Sequence, residues 1–263
     1  MQIIDAHVHL LDEPGYLDNL LRTMDQCGIE QCCLSGLGPL FRHAGNGEVA
    51  AAIRSHPDRV IGAVYVRPGV DAPDLIDWGY EQGFRMVKIT LPRGPYDDPA
   101  FHPLWERALS RRMPVLFHSG VVTTAVEVPG EGVSAWNMHP MRIEPITREF
   151  PDLGVIVAHL GVHWNTDAAE LARMRPNVYV DLTGEPHGWR ARADNEGFDR
   201  YLWWPTAFDK VVFGTVVHYS KIKIILEEDR RRMESCDVPE STRERIFSGN
   251  IRRLLGIDST SAK

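Results

Sequence analysis

The chain opens with an apolar run that ends in two histidines, QIIDAHVH over residues 2–9. The run is almost continuously apolar, which is typical of a parallel strand that is buried on both faces. A dinucleotide-binding sheet places a glycine-rich turn, G-x-G-x-x-G, directly after its first strand, and this chain places His7 and His9 there instead. The stretch therefore favours a closed barrel over an open, doubly wound sheet.

Seven further apolar runs predict strands, and stretches with helical spacing separate them. The predicted strands cover residues 2–6, 30–34, 60–66, 86–89, 114–118, 154–159, 178–182 and 210–215. The predicted helices include residues 16–27, 48–56, 74–81, 104–112, 141–150, 167–174 and 243–256. Eight strands alternating with helices in 263 residues predict an α/β protein with one (β/α)₈ TIM barrel, a fold of about 250 residues. We assign residues 1–257 to the barrel as a single domain and residues 258–263 to a C-terminal tail.

The composition is that of a soluble globular protein, with 43% hydrophobic and 25% charged residues. The net charge of −7 disfavours a nucleic-acid partner, since phosphate binding needs a basic surface. The apolar runs are far shorter than the ~20 residues that span a bilayer, and Asp5 with two histidines argues against a signal peptide. Four cysteines without a C-x-x-C pair suggest reduced thiols in a cytoplasmic protein. We expect a small-molecule substrate, no membrane or nucleic-acid partner, and leave a homo-oligomer open.

Four histidines and an aspartate lie where predicted strands end. His7 and His9 follow the first strand, His118 closes the fifth, His159 closes the sixth, and Asp181 lies in the seventh. The carboxyl ends of barrel strands form the mouth of the barrel, where active sites of this fold lie. A buried polar group without a partner costs roughly 2–7 kcal/mol, and a metal ion satisfies several imidazoles at once. The pattern therefore predicts metal binding at the mouth, rather than four isolated core or surface histidines.

These motifs resemble the amidohydrolase superfamily, in particular its amidohydrolase-related branch of metal-dependent hydrolases and decarboxylases. The matching segments are IDAHVH (4–9), PVLFH (114–118), FPDLGVIVAHLG (150–161), PNVYVDLTG (176–184), VFGT (212–215) and GNIRRLLG (249–256). Each segment is weak alone, but their number, order and spacing make the match strong. The resemblance extends over residues 4–256. The resemblance implies a (β/α)₈ barrel that binds a divalent metal ion at the carboxyl ends of its strands.

Carried over position by position, the resemblance implies that His7, His9 and His118 bind one divalent metal ion, with zinc as the first expectation. His159 is then a catalytic acid or base that also contacts the substrate, or a further ligand if two metal ions bind. Copper, nickel and iron also suit imidazole ligands, so the sequence leaves the metal open.

Position 216 departs from the family pattern. The family carries Phe-Gly-Ser/Thr-Asp after its eighth strand, and this chain reads FGTV over residues 213–216. In the family, that aspartate binds the metal and accepts a proton from the attacking water or orients it, and valine does neither. Val216 therefore marks a catalytic position at which we expect impairment. Three explanations stand: an introduced substitution, which we favour; a natural loss; and replacement of the ligand by His218.

Three further residues are predicted to contact the substrate. Lys88 ends the fourth strand, where its ammonium would bind a substrate carboxylate, with Arg93 as a second candidate. A carbamylated Lys88 that bridges two metal ions is the alternative that the resemblance implies. Trp164 is predicted to form a wall of the pocket, and Asp181 is assigned to the substrate as well.

Two long connections, residues 119–139 and 184–205, follow the predicted fifth and seventh strands, in the position of lids or binding loops. The tryptophans in or beside them are Trp136, Trp189, Trp203 and Trp204. They suggest an apolar lid or a subunit contact, with plain packing of the loops as the alternative. The remaining histidines, including His43, are assigned to the surface or to loops.

Together, these features predict a metal-dependent hydrolase of a small amide, ester or lactone that is impaired by Val216. The first alternative is a non-oxidative decarboxylase of the same family, which product analysis separates from a hydrolase. The second is a catalytically silent protein that binds a small molecule, and restoring the aspartate at position 216 tests that reading.

Overall fold

A computed structural model describes residues 2–122 and 128–257 of the chain. Eight parallel strands pair in the order of the sequence. They are β1 (Ile4–His9), β2 (Gln31–Ser35), β3 (Val60–Val66), β4 (Phe84–Ile89), β5 (Val115–Phe117), β6 (Val155–Val157), β7 (Val178–Asp181) and β8 (Val211–Val212). The predicted TIM barrel is confirmed, and the predicted tail, residues 258–263, lies outside the described residues.

Main-chain hydrogen bonds between β1 and the segment after β8 close the sheet. Ala6 N donates to Phe213 O over 2.9 Å, and Val216 N donates to His7 O over 2.8 Å. The predicted eighth strand, residues 210–215, is too long, because Phe213 N donates to Ile246 O rather than to a neighbouring strand. The sixth strand also ends earlier than predicted, since a 3₁₀ turn begins at residue 158.

Helices surround the barrel, and two of them match the predicted spans, 16–27 and 74–81. The helices are α1 (Tyr16–Cys27), α2 (Asn46–Ser55), α3 (Asp74–Glu81), α4 (His102–Ser110), α5 (Glu144–Glu149), α6 (Asn165–Met174), α7 (Trp189–Glu196), α8 (Ile222–Ser235), α9 (Glu240–Glu244) and α10 (Asn250–Leu255). The predicted helix 141–150 is shortened to α5 because Pro145 lacks the N–H that a longer helix would use. The predicted helix 243–256 is interrupted by a π-helical turn, Arg245–Gly249. In the described part of the chain, no helix is both long and apolar enough to cross a membrane.

Every strand contributes to a layer of side chains that fills the barrel interior. Its members are Ile4, Ala6, Cys33, Ala63, Met86, Leu116, Ile156, Ala158, Tyr179 and Val212, closed from below by Ile251. Because side chains alternate along a strand, the residues two positions further on face the same interior, one layer nearer the mouth. These residues are Lys88, His118, Asp181 and Gly214. The polar residues of the mouth thus rest on an apolar layer.

A bulge in β1 controls which side chains face the interior. The register between β1 and β2 shifts between Asp5 and Val8. Ile4 and Ala6 pack inside the barrel, whereas Val8 packs in the outer core between strands and helices. Regular alternation would place all three of these apolar residues on one face, so the bulge changes the face that the following residues occupy. The histidines on either side of Val8 consequently point into the barrel.

The side chain of Asp5 holds this bulge in place. Its Oδ1 accepts hydrogen bonds from His7 N at 3.2 Å and Thr215 N at 3.0 Å, and its Oδ2 accepts from Thr215 Oγ1 at 2.7 Å. Burial raises the pKa of Asp5 to about 7, although these hydrogen bonds oppose the rise. The carboxyl group therefore satisfies main-chain donors that the irregular strand leaves unpaired.

Gly214 leaves room for His7, and an added methyl group should be costly. A Cβ atom at position 214 would lie 2.9 Å from Thr183 Cγ2 and 3.0 Å from His7 Cβ. We expect Gly214→Ala to lower the free energy of unfolding by about 1–3 kcal/mol, because overpacking displaces neighbouring groups. Urea denaturation measures the change. The control is Gly47→Ala in α2, where a Cβ meets nothing within 4 Å; equal stability of the two variants would contradict the expectation.

Candidate functional site

A cavity of about 450 Å³ lies at the carboxyl ends of the strands. The polar side chains at or just beyond the strand ends form its floor: His9, Lys88, Thr90, His118 and His159. Apolar side chains from the connecting loops form its walls: Leu37, Phe41, Val121, Val122, Val162 and Trp189. The remaining lining residues are His43, His163, Gly184, Glu185, Gly188 and Val216. The cavity therefore joins a polar floor to apolar walls, as small-molecule sites do.

His7 lies between a carboxylate and an ammonium group. Its Nδ1 contacts Asp181 Oδ2 at 2.9 Å, and its Nε2 contacts Lys88 Nζ at 2.9 Å. Because a carboxylate only accepts, Nδ1 carries the proton and donates it to Asp181, which leaves the Nε2 lone pair for Lys88. The Lys88 ammonium thus occupies the side of His7 that a metal ion would need.

A second set of hydrogen bonds orients His159 and His118. Thr183 Oγ1 donates to Asp181 Oδ1 at 2.5 Å, so it accepts from His159 Nδ1 at 2.7 Å. His159 Nε2 then accepts from His118 Nδ1 at 3.2 Å. His118 Nε2 is buried and has no hydrogen-bond partner in the part of the chain that the structure describes. We call these residues, together with His7 and Lys88, the mouth network; it ends at a free imidazole lone pair.

Burial keeps the imidazoles of the mouth network neutral. It lowers the pKa of His7 to about 3, with Lys88 acting in the same direction and Asp181 opposing it, and it lowers the pKa of His159 to about 4. Burial also lowers the pKa of Lys88 to about 7. For Asp181, burial raises the pKa, but the neighbouring His7 and His159 and the hydrogen bonds from His7 and Thr183 together lower it more, so the pKa lies below its usual range. The network therefore contains an ionised Asp181 carboxylate, which accepts hydrogen bonds from the neutral side chains of His7 and Thr183.

The structure identifies a group that could hold a metal ion. Within the described residues, His7, His159 and Asp181 offer ligand atoms that all lie within 4.8 Å of one another. The orphaned His118 Nε2 supports the same fit, because a buried acceptor without a partner is a group that a cation would satisfy. The side chains of His7, His9 and His118 are not drawn together to that extent, so this ligand set stays a prediction.

His43 lines the cavity, and its sequence position did not reveal this. Its ring centre lies 5.1 Å from that of His9, whose Nδ1 contacts Ser35 Oγ at 2.8 Å. His43 Nδ1 is buried without a partner among the described residues, and burial lowers the pKa of this imidazole to about 4. The signal available in the sequence was its place in the loop after β2, a loop that reaches the mouth of a barrel.

Lys88 lines the cavity, but three other residues that were assigned to the substrate are not among its described lining residues. Trp164 packs on His139, with ring centres 4.6 Å apart, and is not among the described lining residues. Asp181 is fully buried behind the histidines, where it contacts them and Thr183 rather than the cavity. Arg93 lies 3.5 Å from Glu131, outside the described lining. Substrate contact by Trp164 and Asp181 stays a prediction that these positions do not favour.

Val216 lines the cavity with an unusual backbone conformation. Its φ of 55° lies in the left-handed region, which costs a branched residue roughly 1–2 kcal/mol and which aspartate and asparagine tolerate better. His218 lies elsewhere: its Nδ1 contacts Ser220 Oγ at 2.8 Å and its Nε2 lies 3.4 Å from Glu13. The structure therefore gives no support to His218 as a replacement ligand.

The two long connections differ in structure. The first carries a 3₁₀ turn, Ala135–Met138, and residues 123–127 within it lie outside the described residues. The second contains α7, so it is not the plain loop that its sequence suggested. Of the four loop tryptophans, Trp189 lines the cavity, whereas Trp136 and Trp203 are more than half exposed.

The chain is similar to known proteins over nearly its whole length. A family model described as Amidohydrolase matches residues 4–257. Dihydroorotase from Yersinia enterocolitica is 26% identical over 202 residues, which cover 69% of this chain and 54% of that protein. The chain thus spans about half the length of the curated relatives it matches.

Solved structures share the fold. An uncharacterized TIM-barrel protein from Bordetella bronchiseptica has a TM-score of 0.75 at 20% identity, covering 98% of this chain and 99% of that one. A 5-carboxyvanillate decarboxylase from Novosphingobium aromaticivorans, with bound manganese, has a TM-score of 0.63 at 16% identity, covering 97% of each chain.

Proposed function

The chain belongs to the amidohydrolase family, and on that premise we propose that it is a zinc-dependent hydrolase of a small amide, ester or lactone, with turnover lowered by Val216. The observation that carries the proposal is the mouth network, in which a buried carboxylate orients imidazoles and leaves His118 Nε2 without a partner. Carboxylates that hold a histidine in this way orient ligands in metal sites.

His7, His9 and His118 are the proposed zinc ligands, and imidazole nitrogen suits this metal. A divalent ion bound there would polarise a substrate carbonyl and lower the pKa of a water molecule. Asp181 holds the proton of His7 on Nδ1, so that Nε2 faces the site as a lone pair. Ser35 Oγ contacts His9 Nδ1 at 2.8 Å, which leaves Nε2 as the His9 atom that would face the ion.

His159 is the proposed proton-transfer residue. Thr183 holds the His159 proton on Nδ1, so Nε2, which accepts from His118 Nδ1 in this structure, is the atom that would accept a proton or return one to the leaving group. Lys88 is the proposed site for a substrate carboxylate, because its ammonium lines the cavity. Val216 offers no group that could accept a proton from water.

The products distinguish this hydrolase from the alternatives. Zinc-loaded chain incubated with a panel of esters, lactones and amides should release an acid with an alcohol or amine, and the Val216→Asp variant should amplify that signal. Release of carbon dioxide from aromatic acids would identify a decarboxylase of the same family instead. Absence of both products in both chains, with ligand binding retained, would favour a binding protein.

Zinc affinity tests the assigned ligands. We expect His118→Ala to weaken zinc binding at least about tenfold, the scale of losses around metal sites. Lys88→Met should strengthen it by about tenfold, because an ammonium 2.9 Å from His7 Nε2 competes for that nitrogen and repels a cation. Isothermal titration calorimetry on chelator-treated chain measures both changes.

The matched control is Lys210→Met, which removes a lysine that donates to three main-chain carbonyl groups away from the cavity. Its zinc affinity should equal that of the parent chain. Weaker zinc binding by Lys88→Met would contradict the competition and would support a carbamylated lysine that bridges two ions.

A further inference from the structure

Lys88 is the only lysine or arginine among the described residues that line the cavity. It is 1% exposed, and within the described part of the chain its ammonium contacts the neutral ring of His7 and no carboxylate. An ammonium group has three N–H donors, so donors remain for a ligand. Among the described lining residues, the floor therefore offers one basic amino group, with free N–H donors, to an anion.

Arg67, Arg93 and Lys221, which follow strands at the mouth, already have acidic partners. Glu131 lies 2.6 Å from Arg67 and 3.5 Å from Arg93. Lys221 lies 2.6 Å from Glu185, and Glu185 itself lines the cavity. These ion pairs compensate the charges of Arg67, Arg93 and Lys221, and Glu185 would repel a second anionic group.

The loop after β5 adds no positive charge. The sequence from residue 119 to 139 contains neither lysine nor arginine. Its described lining residues, Val121 and Val122, are apolar. They face a cavity that Phe41 and Trp189 also line, so the walls suit an aromatic or branched apolar group.

We infer that the site takes substrates with a single carboxylate on an aromatic or branched apolar body, and that it discriminates against dicarboxylates. A second carboxylate would lose its hydration against apolar walls and would gain no cation in return. The inference rests on the proposed hydrolase, since it names the substrate class of the same cavity. Lys88 binds the substrate carboxylate, and the apolar walls of the cavity contact the aromatic or branched part of the substrate.

Binding of three benzene derivatives tests the inference without turnover. The probes are benzoate, isophthalate and benzamide, titrated by calorimetry into full chain in zinc-free buffer with metal content measured. Benzoate should bind at least about tenfold more tightly than isophthalate. Lys88→Met should weaken benzoate at least about tenfold and change benzamide by less than about twofold. Arg93→Gln, the matched control, should leave all three affinities unchanged.

Isophthalate binding as tightly as benzoate, or an Arg93→Gln effect as large as that of Lys88→Met, would overturn the inference, as would failure of benzoate to bind at millimolar concentration. Different outcomes would overturn the proposed function and the inferred selectivity. If zinc-loaded Val216→Asp hydrolyses nothing while the preference for benzoate holds, the hydrolase is wrong and the selectivity stands. If it hydrolyses dicarboxylate esters preferentially, the hydrolase stands and the selectivity is wrong.

Discussion

Restoring aspartate at position 216 is expected to raise turnover of the best ester, lactone or amide at least about a hundredfold. A general base contributes typically 10²–10⁴-fold, and the present side chain cannot accept a proton. The change needs no rearrangement of the backbone, because the left-handed φ of 55° at Val216 suits aspartate better than valine. Paired measurements of kcat and KM at equal zinc content test the expectation, and KM should change less than kcat.

Val216→Asn separates the effect of a carboxylate charge at this position from the effect of relieving backbone strain. Asparagine has the shape of aspartate and tolerates the same φ, so it should gain any relief of strain but not the turnover. If Val216→Asn and Val216→Asp turn over equally, or if both match the parent chain at equal zinc content, the transfer of the family's catalytic aspartate to this position is wrong.

Replacing Asp181 by asparagine is expected to weaken zinc binding about 10–100-fold. The carboxylate accepts hydrogen bonds from His7 Nδ1, from His159 N, and from the N and Oγ1 of Thr183. An amide has a single oxygen, so its NH₂ group must face donors on one side. If that side is His7, the proton moves to Nε2 and the lone pair that zinc needs is lost. Calorimetry measures the affinity, and nitrogen NMR of the imidazoles reports the tautomer.

Asp5→Asn is the matched control, since Asp5 is also a buried carboxyl group near His7. There, an amide fits: its oxygen accepts from the main-chain N–H groups of His7 and Thr215, and its NH₂ donates to Thr215 Oγ1. Zinc affinity should therefore stay within about threefold of the parent chain. Equal losses in both variants would mean that Asp181 acts through general stability and not through the tautomer of His7.

The barrel could be predicted because its signals are local. Each strand is an apolar run, and the order of runs and helices determines the fold class. The limits of β8 could not be read in this way. Its apolar run continues to Phe213, but the main chain there bonds to Ile246, a residue of the C-terminal segment. Contacts between distant segments determine where such a strand ends.

The sequence predicted that the candidate residues lie at the mouth of the barrel, and it did not predict their geometry. The strand-end positions of the histidines indicated the mouth, but the apolar residues Ile4, Ala6 and Val8 would share a face in a regular strand. The bulge that separates them depends on Asp5 and Thr215, which are 210 positions apart in the sequence. His159 likewise faces the site from a left-handed backbone, with φ of 58°, rather than from the predicted strand. Neither feature has a local signature.

The seam that closes the barrel uses main-chain atoms, with Phe213 O and Val216 N as its groups beside β1. Any residue except proline supplies that N–H group, so the hydrogen bond itself does not depend on the side chain at position 216. Some codons for aspartate and valine differ by a single base. A lineage could therefore lose or regain the proposed catalytic carboxylate in one mutational step while the barrel and its cavity persist, so a single substitution would separate an enzyme from a binding protein.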